Sequence, residues 1–105
     1  MSTTLQLSDQ RCVVLLEGDI DIRSSEELKS LFVEALSYMR ELQVDLTHAL
    51  SLDITAIQLV WAASRKAAKQ RLPFRLTGGV PDQIQRNAID GGLAAFLDLS
   101  NRKAS

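Results

Sequence analysis

The chain has one cysteine and one histidine in 105 residues, and no apolar run nears the roughly 20 residues that a membrane-spanning helix needs. A single cysteine, Cys12, rules out an intramolecular disulfide and a multi-cysteine metal site, so a reducing cytosol is the natural setting. One histidine and one cysteine leave nucleophilic catalysis short of its usual parts: an activated nucleophile, a base and a group that orients the base. Cys12 opens an apolar run and reads as inert packing, and His48 reads as a surface residue in a loop. Charge of one sign is also missing. Lys and Arg number 12 against 13 Asp and Glu, so no chain-wide field draws in nucleic acid or anionic lipid. Nothing repeats, and no segment is low in complexity. The stretch MSTTLQLSDQR lacks the basic region and long apolar run of an export signal. These absences describe a cytoplasmic, non-enzymatic protein with no metal, no cofactor, no nucleic-acid partner and no membrane insertion.

What is present is an ordinary globular composition, 46% hydrophobic and 24% charged, at a length that suits one core. The run Cys12-Val13-Val14-Leu15-Leu16 predicts a central strand covered on both faces. Residues 4–7 predict a shorter strand joined to it through Ser8-Asp9-Gln10 as a hairpin. From Ser24 the period becomes helical, with Leu28, Leu31, Phe32, Ala35, Leu36 and Met39 on one face. Ser24 and Glu27 are spaced as a capping box. Leu42, Val44 and Leu46 alternate as a short strand. Residues 53–70 return to helix through Ile57, Val60, Trp61, Ser64 and Ala68, and Phe74 to Thr77 is a further strand. Gly78-Gly79 breaks the chain. Pro81 suits a first helical turn, Ile84, Ala88 and Ile89 mark a short helix, and Gly91 ends it. Residues 93–99 suit a last strand or helical turn, and 100–105 read as a loose tail. Strands alternating with helices give one α/β domain over about 4–99. Its sheet is mixed but mostly parallel, of four to five strands with an N-terminal hairpin and three to four flanking helices.

Three constellations carry possible chemistry. Gly78-Gly79 precedes a helix but matches neither the dinucleotide fingerprint nor the P-loop, so it reads as a turn. Arg65, Lys66, Lys69 and Arg71 near the end of the second long helix complement its dipole. They read as a solvated face first and a docking patch second. Asp19, Asp21 and Asp53 follow strands and would suit magnesium-dependent phosphoacceptor chemistry if they converged, but a receiver domain's later lysine is missing.

The pair Asp53 and Thr55 is more specific. Asp53 is a good N-cap for the helix that begins there, a contact worth about 1 kcal/mol. Thr55 is a mediocre helix former whose hydroxyl on the first turn points to solvent or to a partner. A phosphate there would lie near the positive end of the helix dipole yet face Asp53 and Asp21.

These residues also resemble a family. GDID at 18–21, SSEEL opening a helix at 24, and LDITAIQL at 52–59 are similar to a STAS domain of the anti-sigma factor antagonist type, over about residues 12–99. The resemblance implies that Gly18 and Asp21 match the segment ending the second strand. Asp53 matches the aspartate before a helix, and Thr55 falls on the serine that a partner kinase phosphorylates. Ile54 stands in place of a first serine and Ala56 in place of a glycine. It further implies a protein-binding module whose contacts are Asp21, Ser24, Asp53, Ile54, Thr55, Ala56 and Gln58, with Thr55 the phosphorylation candidate. The partner is then a kinase-like anti-sigma factor. Members with threonine at this position include subunits of lipid-transport ATP-binding cassette systems and parts of stress-signalling complexes, so docking on a transporter ATPase or in a stress or chemotaxis scaffold is the alternative.

Overall fold

The computed structural model describes residues 2–97 and 99. Strand β1 (Ser2–Leu7) turns through three residues into strand β2 (Arg11–Ile20), and the pair is antiparallel with Leu7 opposite Cys12. The Ser8 N–H closes this hairpin on the Arg11 carbonyl at 2.9 Å. Strand β3 (Glu41–Leu52) runs parallel to β2, and strand β4 (Phe74–Thr77) runs parallel to β3. Parallel neighbours need crossovers, and helices supply them: α1 (Ser25–Ser37) links β2 to β3, and α2 (Ile54–Lys69) links β3 to β4. Helix α3 (Asp82–Asp90) follows β4. The four strands stand in chain order across the sheet.

Register explains where the core sits. Cys12, Leu42 and Phe74 align in one row and Val14, Val44 and Leu76 in the next, and all six are buried. Burying a side chain of this size contributes about 1.5–3 kcal/mol, so these rows anchor the sheet to the helices. The adjacent rows are Val13, Gln43 and Arg75, and Leu15, Asp45 and Thr77, all only half-buried. The expectation that β2 is covered on both faces is therefore corrected. Its apolar run packs one face, and Val13 and Leu15 share the other with polar neighbours, among them Gln43, whose Nε2 donates to Thr77 Oγ1 at 3.2 Å.

Helix α1 buries Leu28, Phe32, Ala35 and Leu36 as its period implies. Met39 is 58% exposed instead, because the helix ends two residues earlier and Met39 turns the chain at φ 55°. The Ser24–Glu27 capping box does not form. A 3-10 turn over Ile22–Ser24, capped by Asp21, leads into α1, and Glu27 accepts from Thr3 Oγ1 at 2.8 Å. Helix α2 buries Ile57, Val60 and Ser64 together with Ala56, Ala63 and Ala67, while Trp61 is half-buried and Ala68 is exposed. Pro81 stands at the N-cap of α3 rather than inside its first turn, and Gly91 is the C-cap. Ile84 and Ala88 are buried and Ile89 is exposed. Residues 94–97 form a 3-10 turn that buries Phe96. The tail expected at 100–105 lies outside the described residues.

The second half of β3 departs most from expectation. The sequence predicts a strand over residues 42–46 with a loop after it, yet β3 continues to Leu52, and His48 sits in it opposite Glu17. Two register shifts accommodate the extra length, and the second leaves Leu50 without a partner on β2. Bulges of this kind break the alternation that makes a strand readable.

Candidate functional site

The C-terminal ends of β2 and β3 bring the expected residues together. Ile20 pairs with Leu52, and the Asp53 N–H donates to the Ile20 carbonyl at 3.1 Å, so Asp53 leaves the sheet at a fixed position. Its backbone stays extended (φ −76°, ψ 174°) and its Oδ1 accepts from the Ala56 N–H at 2.9 Å. That is the N-cap the sequence implied, and it places the positive end of the α2 dipole at the C-terminal ends of β2 and β3.

Thr55 lies in the first turn, half-buried, and its hydroxyl has no hydrogen-bond partner among the described residues. Ile54 beside it is 36% exposed and packs on Gly91, where a Cβ would overlap the Ile54 side chain. The Asn87 amide donates to the Leu52 carbonyl at 2.9 Å and ties α3 to this corner. Asp53, Ile54, Asn87, Asp90 and Gly91 line an open depression of about 340 Å³ there.

On the β2 side, Asp21 caps the 3-10 turn by accepting from the Arg23 N–H at 2.9 Å. It also holds the Arg23 guanidinium through Nε at 3.1 Å and Nη2 at 2.7 Å. The hydrogen bonds from Arg23 hold the Asp21 carboxyl below the usual range. Asp19 accepts from Ser51 Oγ at 2.7 Å, which ties the two strand ends together. The three aspartates thus have separate partners. Among the described residues no group of three or more His, Cys, Asp or Glu could hold a metal ion.

Burial sorts the expected contact residues. Asp21 and Asp53 are half-buried caps, Thr55 is half-buried, and Ile54 and Gln58 are exposed. Ser24 and Ala56 are each 2% exposed, so their side chains are turned away from the surface. The Ala56 methyl turns inward and joins the core, which explains why alanine fits here. Sequence reasoning missed two residues. Leu50, 65% exposed on the bulge, and Ile22, 64% exposed on the 3-10 turn, add apolar surface at the same sheet end as Ile54. Ile22 and Ile54 each stand two residues past the Ile20–Leu52 pair. In the sequence Leu50 continues the even-numbered apolar alternation of Leu42, Val44, Leu46 and Leu52, so no local signal marks it as exposed.

The remaining candidates lie elsewhere. Cys12 is buried in the core, where its Sγ donates to the Ala35 carbonyl at 3.6 Å and burial pushes the thiol pKa up. His48 is exposed, as are Arg65, Lys66, Lys69 and Arg71. Gly78, at φ 86°, is more than a turn: a Cβ there would collide with Thr47, so the end of β4 abuts the first irregular stretch of β3.

A mixed four-stranded sheet with crossover helices and a capped helix at the ends of its central strands defines a small α/β domain, and solved structures share it. An anti-sigma factor antagonist from Mycobacterium paratuberculosis superposes with a TM-score of 0.77 at 20% identity, over 96% of this chain and 86% of that one. A substituted RsbS from Moorella thermoacetica gives 0.71 at 22% identity over 89% and 80%. Phosphorylated Bacillus SpoIIAA gives 0.70 at 15% identity over 90% and 87%. At these identities the likeness establishes the fold. The family follows from the sequence: the model described as "Mlab, STAS domain" matches residues 3–99, and the chain belongs to the STAS family. No curated protein is significantly similar in sequence. Among the described residues no helix is long and apolar enough to cross a membrane.

Proposed function

We propose that this chain is a regulatory protein-binding module without catalytic activity, acting in the cytoplasm as an anti-sigma factor antagonist. Its partner docks on the start of α2. The observation that carries this reading is Thr55: a hydroxyl with no partner of its own, on a capped first turn, at a sheet end that also exposes Ile22, Leu50 and Ile54. Apolar side chains exposed together at one place mark an interaction surface more often than isolated ones do. Asp21, Asp53 and Gln58 supply the polar rim.

Thr55 is the switch. A phosphate adds a charge of about −1.5 to −2 to a corner that already holds Asp19, Asp21, Asp53 and Asp90, with Arg23 committed to Asp21. The helix dipole makes the phosphate tolerable to the fold, while the added charge opposes desolvation on docking. A phosphorylated form exists of one structural relative, SpoIIAA, which supports this reading. Incubation with serine/threonine kinases of the host, followed by mass spectrometry, modifies Thr55 if the switch is real. An unmodified Thr55 removes the switch and leaves the docking surface.

A second reading has the same surface bound permanently to a transporter ATPase. Ile54 in place of a serine favours it, since an apolar side chain adds burial to an interface and removes a hydroxyl. Co-purification separates the two: a kinase-like partner supports the first reading and an ATP-binding cassette subunit the second.

A further inference from the structure

A second surface lies away from Thr55, in the groove between α1 and α2. Phe32, Leu36 and Ala63 form its buried floor, Val33 (59% exposed), Leu59 and Ala62 its apolar walls, and Lys29 and Lys66 stand one on each helix, enclosing about 130 Å³. The residues recur at i, i+3, i+4 and i+7 on both helices, so the groove runs for two turns, roughly 10 Å. On α2 the groove begins at Leu59, one turn or roughly 6 Å past Thr55 at the helical rise, and runs on to Lys66; Thr55 itself does not line it.

Charge identifies the occupant. Lys29, Arg65, Lys66 and Lys69 are exposed, and none has an ion-pair partner among the described residues. None of the three acids of α1 lines the groove: Glu27 accepts from Thr3, Glu34 from the Tyr38 hydroxyl at 3.2 Å, and Glu26 is exposed on the first turn before Lys29. In a chain of net charge −1, this places unpaired positive charge beside exposed apolar surface. We infer that the α1–α2 groove docks an acidic amphipathic helix of a partner protein. Apolar side chains at i, i+3 or i+4, and i+7 enter the groove, and flanking carboxylates meet Lys29, Lys66 and Lys69.

The test uses the full isotope-labelled chain and three probes: a stapled helical peptide with leucines on one stripe and glutamates beside it, the same peptide with lysines for glutamates, and phosphatidylglycerol vesicles. The acidic peptide shifts the amide resonances of Val33, Leu36, Ala62 and Ala63, and the basic peptide does not. The exposed substitutions K29E and K66E together weaken binding about tenfold or more, while Thr55→Glu leaves it unchanged, so the groove succeeds or fails independently of the Thr55 surface. No shift at the groove overturns the inference. So does equal binding of both peptides, and so does a vesicle-induced shift of the same amides, which would make a membrane the occupant.

Discussion

The two halves of β3 obey different rules. Residues 41–46 alternate strictly and bury Leu42, Val44 and Leu46, and residues 42–45 pair with both β2 and β4. Residues 47–52 have lost β4, shift register twice and expose His48 and Leu50. The first half resists disturbance because its apolar side chains are packed in the core and its backbone is held by strands on both sides. The second half delivers Asp53 and α2 to the C-terminal ends of the central strands and leaves Leu50 uncovered, the surface proposed above to dock a partner. A substitution in the regular half should unfold the protein, and one in the bulged half should change what it binds.

The largest effect is expected in the regular half. Leu42→Ala removes a fully buried side chain and destabilises by about 2–5 kcal/mol in urea unfolding. Gly78→Val probes the joint between the halves. It forces a branched side chain to φ 86° against Thr47 and costs about 2–4 kcal/mol in the same assay. Asp53→Ala strips the cap from α2 and costs about 1 kcal/mol, read as a small fall in Tm. Leu50→Ser lies on the bulge and changes stability by no more than about 0.5 kcal/mol, yet weakens partner binding. A loss of stability as large as that of Leu42→Ala would erase the distinction between the halves.

The sequence was legible where period and chemistry agreed. The helix faces, the β4 strand, the Asp53 cap and the Gly91 stop all rest on local rules that tertiary packing did not override. The Ser24–Glu27 box failed because Asp21 starts a 3-10 turn first and Thr3 of a distant strand claims Glu27, a competition local spacing does not record. The length of β3 was hidden because His48 and Ala49 interrupt its apolar alternation between the two register shifts. The β2 run misled because continuous apolar sequence does not say which face the helices cover. The STAS resemblance located Thr55, but the exposed Ile22 and Leu50 around that end of the sheet emerged only from the fold. Ala56, counted with the contacts by its place in the motif, turned out to be core.

The central claim is that the α2 start docks a partner and that charge at Thr55 releases it. The direct measurement is affinity purification of the tagged full chain from its host as wild type, Thr55→Ala and Thr55→Glu, with thermal unfolding of each. Equal Tm values within the small effect of a first-turn substitution are expected, with a partner kept by wild type and Thr55→Ala and recovered at least tenfold less with Thr55→Glu. The same partner recovered equally with all three chains would contradict it.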